Sequence, residues 1–249
     1  MNRNLSLWKQ TGKNTILSVL LFAALFGLLY LVEHFYPELQ LLRFYDAAFC
    51  VGIPASITGV AYVLSIKNPE NYTGFYAGIV MSLLLCVQFF LQGNYDLCLL
   101  YIAIFVPFQI KSVVQWVKPH SADAPFAPEF LSKKAMWISV AVCMAVTVLD
   151  YLFATYVVHS DGLLHNWLLK LMGALMISSS VLANFWLIYK KNDAWIYWVI
   201  YSLSGIIFYV ILNNAFSVVL FVFFAVINGM AGIAWIRNTD EEHMGWLRR

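Results

Sequence analysis

The sequence predicts an all-α integral membrane protein of eight transmembrane helices, one N-terminal helix followed by a 3+1+3 bundle of parallel repeats. Three observations carry that reading. Of 249 residues, 62% are hydrophobic and only 11% charged, where soluble domains carry about a quarter charged residues. Eight apolar runs, 15–36, 46–66, 73–92, 95–117, 135–158, 164–189, 195–213 and 215–236, lie near the roughly 20 residues that span a bilayer. The basic residues then sort by side. With the N-terminus inside, thirteen of the fifteen Lys and Arg fall in cytoplasmic segments, leaving Arg43 and Lys170 outside. That bias sets orientation and requires an even number of spans. The net charge of +2 is thus a feature of topology. No basic stripe with interleaved aromatics is present, so no nucleic acid is expected as a partner.

Lipid offers the backbone no hydrogen-bond partners, so each span is expected to be helical. The alternation of apolar and polar residues that marks a membrane barrel is absent. Residues 1–14 are polar apart from a lone Trp8 and read as a cytoplasmic lead-in lying on the membrane surface. The first run, 15–36, is longer than a signal-peptide core and lacks a small-residue cleavage site, so it reads as a retained helix. Its side chains are almost all apolar until Glu33-His34, which makes it peripheral. The segment from Pro37 to Tyr45 is an outer loop.

Residues 46–117 form a first three-helix repeat and 164–236 a second. Between them, 118–163 hold a loop broken by Pro119, Pro125 and Pro128 and a linker helix that starts after Lys133-Lys134. Residues 237–249 are a cytoplasmic tail. Two three-helix units joined directly would point in opposite directions. One extra helix restores the direction and makes the repeats parallel, related by an axis along the membrane normal. Landmarks recur at matched spacing. Asn71 to Trp116 turns at Gly93-Asn94, and Asn192 to Trp235 turns at Asn213-Asn214. Gln88 lies seventeen residues after Asn71, and Tyr209 seventeen after Asn192. Gln109 lies seven before Trp116, and Asn228 seven before Trp235.

An amide in hydrocarbon costs several kcal/mol unless it finds a partner, so polar residues at depth should face the bundle interior. At 1.5 Å per residue, Gln109 and Asn228 sit within roughly 5 Å of mid-membrane. Gln88, Tyr209 and Asn184 are a little further off. Such amides can either join helices or hold a ligand; the pair Gln109 and Asn228, matched in depth and repeat position, favours a ligand site. Trp116, Trp186, Trp195, Trp198 and Trp235 lie near the inner interface. There an aromatic belt is the ordinary explanation, above all for Trp195 and Trp235. Trp186 and Trp198 flank the bend from Lys190 to Asp193 and could instead form an aromatic surface or inner gate. Near mid-membrane the acid is Asp150 on the linker helix, read as a packing residue. With no carboxylate there in the repeat helices, ion coupling is disfavoured. A cationic substrate would be held by ring faces and amide oxygens.

Cys50, Cys86, Cys98 and Cys143 all fall inside spans and read as small buried hydrophobes. Gly74-x-x-x-Gly78 suits a close helix contact. Asn71-Tyr72-Thr73 fits a glycosylation sequon but faces the cytoplasm in this topology. Pro54 and Pro107 are expected to kink their spans. The histidines lie at rims or tails, and neither a catalytic triad nor a metal cluster emerges, so no enzyme, cofactor or metal is expected.

The 3+1+3 plan, the Asn192-x-x-Trp195-x-x-Trp198 opening and the Gly232-Ile233-Ala234-Trp235 ending resemble the PnuC family of bacterial nicotinamide riboside transporters over residues 46–236. The resemblance implies a SWEET-like architecture and facilitated diffusion of nicotinamide riboside across the inner membrane, with cytosolic phosphorylation trapping it. It also implies a homotrimer embedded in lipid, and both termini in the cytoplasm. A pyridinium stacks on Trp or Tyr, its carboxamide matches Gln or Asn, and ribose hydroxyls need further polar partners. Depth and pairing select Gln88, Gln109, Asn184, Tyr209 and Asn228 for hydrogen bonds, with Trp186 and Trp198 for stacking. The expected site lies mid-membrane between the repeats. Another vitamin, thiamine or riboflavin, is the alternative within transport. A non-transport helical membrane protein, such as an intramembrane enzyme or an assembly factor, is the alternative outside it.

Overall fold

Eight helices long and apolar enough to cross a bilayer make up most of the described chain. The structure, a computed structural model, describes residues 2–92, 95–118, 127–156 and 166–247. The expected turn at Gly93-Asn94, the loop prolines Pro119 and Pro125, and His120, His159 and His165 lie outside the described residues. The elements are α1 (Asn2–Phe35), α2 (Ala47–Ile66), α3 (Gly74–Leu91), α4 (Tyr95–Leu100), a π-helix (Tyr101–Phe105), α5 (Val106–Val117), α6 (Lys133–Tyr156), α7 (Trp167–Ile188), α8 (Asp193–Ile211) and α9 (Ala215–Arg237). α4, the π-helix and α5 together make the fourth span. Among the described residues the strand-like pairing is a single parallel bridge, Glu129 to Lys191. The chain divides into two compact units, Met1–Phe126 and Ala127–Arg249. The linker helix α6 falls in the second unit and packs along α7.

In the first unit α2 is the most enclosed helix, with half of its apolar window buried. α1 packs along it through one narrow stripe. Leu7, Thr11, Ser18, Phe22 and Leu29 are buried while the other faces stay open, a spacing of four and seven that puts all five on one side of a helix. The expected surface lead-in is corrected here. Residues 2–14 are the first turns of α1, which at 34 residues runs about 51 Å at 1.5 Å per residue. The polar residues that resembled a solvated lead-in are anchors. Thr11 Oγ1 lies 2.7 Å from Thr73 Oγ1 and accepts from Asn71 Nδ2 at 3.1 Å. Asn14 Nδ2 donates to Ser65 Oγ at 3.1 Å. Asn71 is fully buried in this network, so the sequon asparagine is a structural residue.

α3 lies against α2 through Gly74 and Gly78, as the small-residue spacing predicts. A Cβ on Gly74 would stand 2.8 Å from Ser65 and Ile66, and one on Gly78 3.0 Å from Tyr62 and Gln109. The π-helix interrupts the fourth span two residues before Pro107. It also accounts for a mismatch between the repeats. Asn94 to Gln109 is fifteen residues, whereas Asn214 to Asn228 is fourteen. A π-turn absorbs an extra residue without ending the helix.

In the second unit α7 is the enclosed helix. α6 meets it through Ser139, Cys143 and Thr147, buried at every fourth position. Thr147 Oγ1 is 2.7 Å from Ser178 Oγ, and Trp186 Nε1 donates to Ser139 Oγ at 2.8 Å. The turn joining α8 to α9 is as short as expected. Asn213 takes a left-handed conformation at φ 51°, and the Asn214 side chain caps α9 by accepting from Ser217 N. The C-terminal tail folds back on the bend that precedes α8. Asp193 accepts from Leu131 N at 2.8 Å and from Trp246 Nε1 at 2.7 Å, and Lys191 pairs with Glu129.

The expected aromatic belt is also corrected. Trp195 and Trp235 are 3% and 0% exposed and meet edge to face at 5.4 Å. Trp116 packs the same way on Phe75 in the first unit. These rings serve packing inside each unit. The exposed tryptophans are Trp8, Trp137 and Trp167.

Candidate substrate-binding site

Each unit buries one carboxamide on its last membrane helix, seven residues before a buried tryptophan. On α5, Gln109 is 1% exposed. Its Oε1 accepts from Ser82 Oγ on α3 at 3.3 Å, while its Nε2 has no hydrogen-bond partner. Gly78 leaves room for the amide, and Tyr62 lies against the same glycine with its hydroxyl also unpartnered. On α9, Asn228 is 2% exposed. Its Nδ2 donates to Ser202 Oγ at 3.0 Å and to Trp198 O at 3.4 Å, while its Oδ1 has no partner.

The helix-joining role expected of such amides is seen in both side chains. One end ties the helix to its hairpin neighbour through a serine. The other end is left open. A buried polar atom without a partner costs about 1–3 kcal/mol, so these atoms are the ones a polar ligand would satisfy. Gln109 offers a donor and Asn228 an acceptor, the two functions of a carboxamide.

The other selected residues divide. Trp198 is brought to Asn228 through its backbone carbonyl; its ring is 9% exposed, stands edge-on to Tyr201 at 5.4 Å, and leaves Nε1 unpartnered. Tyr209 is half-buried and meets the Phe221 ring at 5.1 Å. Asn184 is buried and donates to Ser180 O of its own helix at 2.9 Å. Trp186 lies at the C-terminal end of α7, where it borders a cavity of about 460 Å³ together with Glu129, Phe130, Lys191 and His243. Gln88 stands apart from Gln109, with its amide against Gly52 of α2, where a Cβ would lie 3.1 Å from Nε2. Ser82 and Tyr62 stand beside Gln109, and Ser202 beside Asn228, without having been selected from sequence.

Comparison with known proteins places this geometry in context. A family model described as "Nicotinamide mononucleotide transporter" matches residues 49–237, more than three quarters of the chain. No curated protein matches the sequence. Among solved structures, "Crystal structure of the Vitamin B3 transporter PnuC" superposes with a TM-score of 0.64 at 16% identity, covering 96% of this chain and 99% of that one. At that identity the likeness concerns the fold.

Proposed function

This chain belongs to the nicotinamide mononucleotide transporter family, and from that premise we propose that it carries nicotinamide riboside by uncoupled facilitated diffusion. Proteins of this family are transporters rather than enzymes. The observation that carries the substrate reading is the pair of open atoms, Gln109 Nε2 and Asn228 Oδ1. A nicotinamide carboxamide offers a carbonyl to a donor such as the first and an amino group to an acceptor such as the second. Ribose hydroxyls suit Tyr62, Ser82 and Ser202, and the pyridinium suits an aromatic face such as Trp198. Gln88, Asn184, Trp186 and Tyr209 complete the proposed set.

Charge supports the nucleoside over the phosphorylated nucleotide. A phosphate dianion taken out of water needs a paired cation. Lys111, two residues from Gln109, is exposed while Gln109 is buried, so the two occupy different faces of α5. Asp150 is the acid nearest mid-membrane by sequence position, and it lies on α6 rather than on α5 or α9, the helices of the two amides. This supports transport without proton or sodium coupling.

We place both termini in the cytoplasm of a bacterial inner-membrane protein, on the Lys and Arg distribution. We assign the exposed apolar faces of the spans to lipid and to sister protomers of a homotrimer, which native mass spectrometry in lipid would detect.

The test is calorimetry on the purified protein with nicotinamide riboside, nicotinamide mononucleotide, thiamine and riboflavin in turn. Heat of binding for the riboside, with the others weaker by an order of magnitude or silent, supports the assignment. Tighter binding of the mononucleotide, thiamine or riboflavin replaces it.

A further inference from the structure

Cys86 on α3 and Cys98 on α4 hold their Sγ atoms 2.6 Å apart. Two independent thiols do not approach so closely. The contact is also in line with its surroundings. Ser82, Cys86 and Phe89 recur at i, i+4 and i+7, so they share one face of α3. Ser82 bonds Gln109, and Phe89 stacks on Tyr101. That face therefore meets the fourth span along its length, and the two sulfurs are part of the same seam. The other cysteines differ. Cys50 Sγ donates to Phe44 O, and Cys143 is buried beside Ser178.

In the proposed orientation Cys86 lies about 8 Å from the outer end of α3, five residues before Leu91. That end faces the oxidising side of the membrane, where disulfides form and persist.

We propose that Cys86 and Cys98 form a disulfide tying α3 to α4 at the outer end of the first hairpin. This rests on the orientation proposed above, with both termini in the cytoplasm. It replaces the sequence reading of these two cysteines as inert hydrophobes. The oxidant is a donor disulfide of the extracytoplasmic compartment, acting by thiol–disulfide exchange. The thiolate of one cysteine attacks the donor and forms a mixed disulfide. The second cysteine then displaces the donor, which leaves as a dithiol carrying the two electrons and the two protons. The crosslink closes the hairpin just before the π-helix. A rearrangement that moves Gln109 would then run through the π-turn rather than through parting of α3 and α4.

The experiment takes full-length protein in membranes from aerobically grown cells, quenched in acid, denatured and alkylated with N-ethylmaleimide with or without prior reduction. Intact mass should show two fewer adducts without reduction. A proteolytic fragment joining residues 86 and 98 should appear in the unreduced sample alone. Cys86→Ser and Cys98→Ser should each abolish the difference, and Cys50→Ser should preserve it. Four adducts in both samples, with no joined fragment, overturns the disulfide. Orientation is read separately, by labelling Glu38→Cys in spheroplasts with a membrane-impermeant maleimide. Labelling with four adducts leaves the orientation standing and removes the disulfide. No labelling until lysis overturns the orientation and the proposal with it.

Discussion

Gly205 shows how tightly single positions are set. A Cβ there would stand 2.0 Å from the Phe221 ring. Gly205→Ala should therefore overpack the α8–α9 contact and cost about 1–3 kcal/mol, read as a lower melting temperature. Adding Phe221→Leu should recover part of the loss. The amides behave differently. Gln109→Ala and Asn228→Ala should each weaken riboside binding about tenfold, the worth of roughly one hydrogen bond to a buried group. Their melting temperatures should fall less than that of Gly205→Ala, and calorimetry beside a thermal melt checks both. The burial of the two amides was legible from sequence because Gln and Asn are rare in hydrocarbon and costly there. Ser82 and Ser202 were not. A membrane serine can satisfy itself on its own helix, as Ser202 does by donating to Trp198 O at 2.8 Å, so its presence says little. Trp195 and Trp235 were read as a lipid-facing belt and are buried in the unit. Depth is the same for both readings, and depth is all that sequence supplies.

The fourth span and α1 carry the lessons at the scale of elements. The π-helix holds the residue by which the stretch from Asn94 to Gln109 exceeds that from Asn214 to Asn228, so deleting Ala103 should convert it to α-helix and leave both flanks in register. Deleting Phe223 from α9, which has no such turn, should rotate Asn228 by about 100°, one residue of a 3.6-residue turn. We expect the first deletion to melt near the parent and bind the riboside, and the second to lose binding. Helix existence and bounds were readable from apolar length, usually to within two or three residues. A π-turn was not, since its composition is that of any apolar helix. α1 was misjudged at its start for a related reason. Thr11 and Asn14 have the polarity of a solvated segment, and only their partners at 65–73 show them to be anchors. Thr11→Val should leave Asn71 short of a partner and cost about 1–3 kcal/mol, measurable as loss of thermal stability in detergent.

Across the whole molecule, each unit has the same internal plan. A central helix, α2 or α7, carries a long helix hitched to it by polar side chains, α1 or α6. Position 65 bonds Asn14 in the first unit, and position 186, offset by the same 121 residues as Asn71 from Asn192, bonds Ser139 in the second. The count of helices was legible because hydropathy reports it directly. The kinship of α1 with α6 was not, because it rests on two hydrogen bonds made by unlike residues. The central claim is that this chain moves nicotinamide riboside down its gradient through contacts that include Gln109 and Asn228. Uptake of labelled riboside into proteoliposomes, with proton and sodium gradients collapsed by ionophores, tests it most directly. The account predicts saturable uptake that stops at equal concentrations and falls about tenfold at low substrate in Asn228→Ala, the loss of one buried hydrogen bond. Uptake that requires either gradient, or that accumulates riboside above the outside concentration, would contradict it.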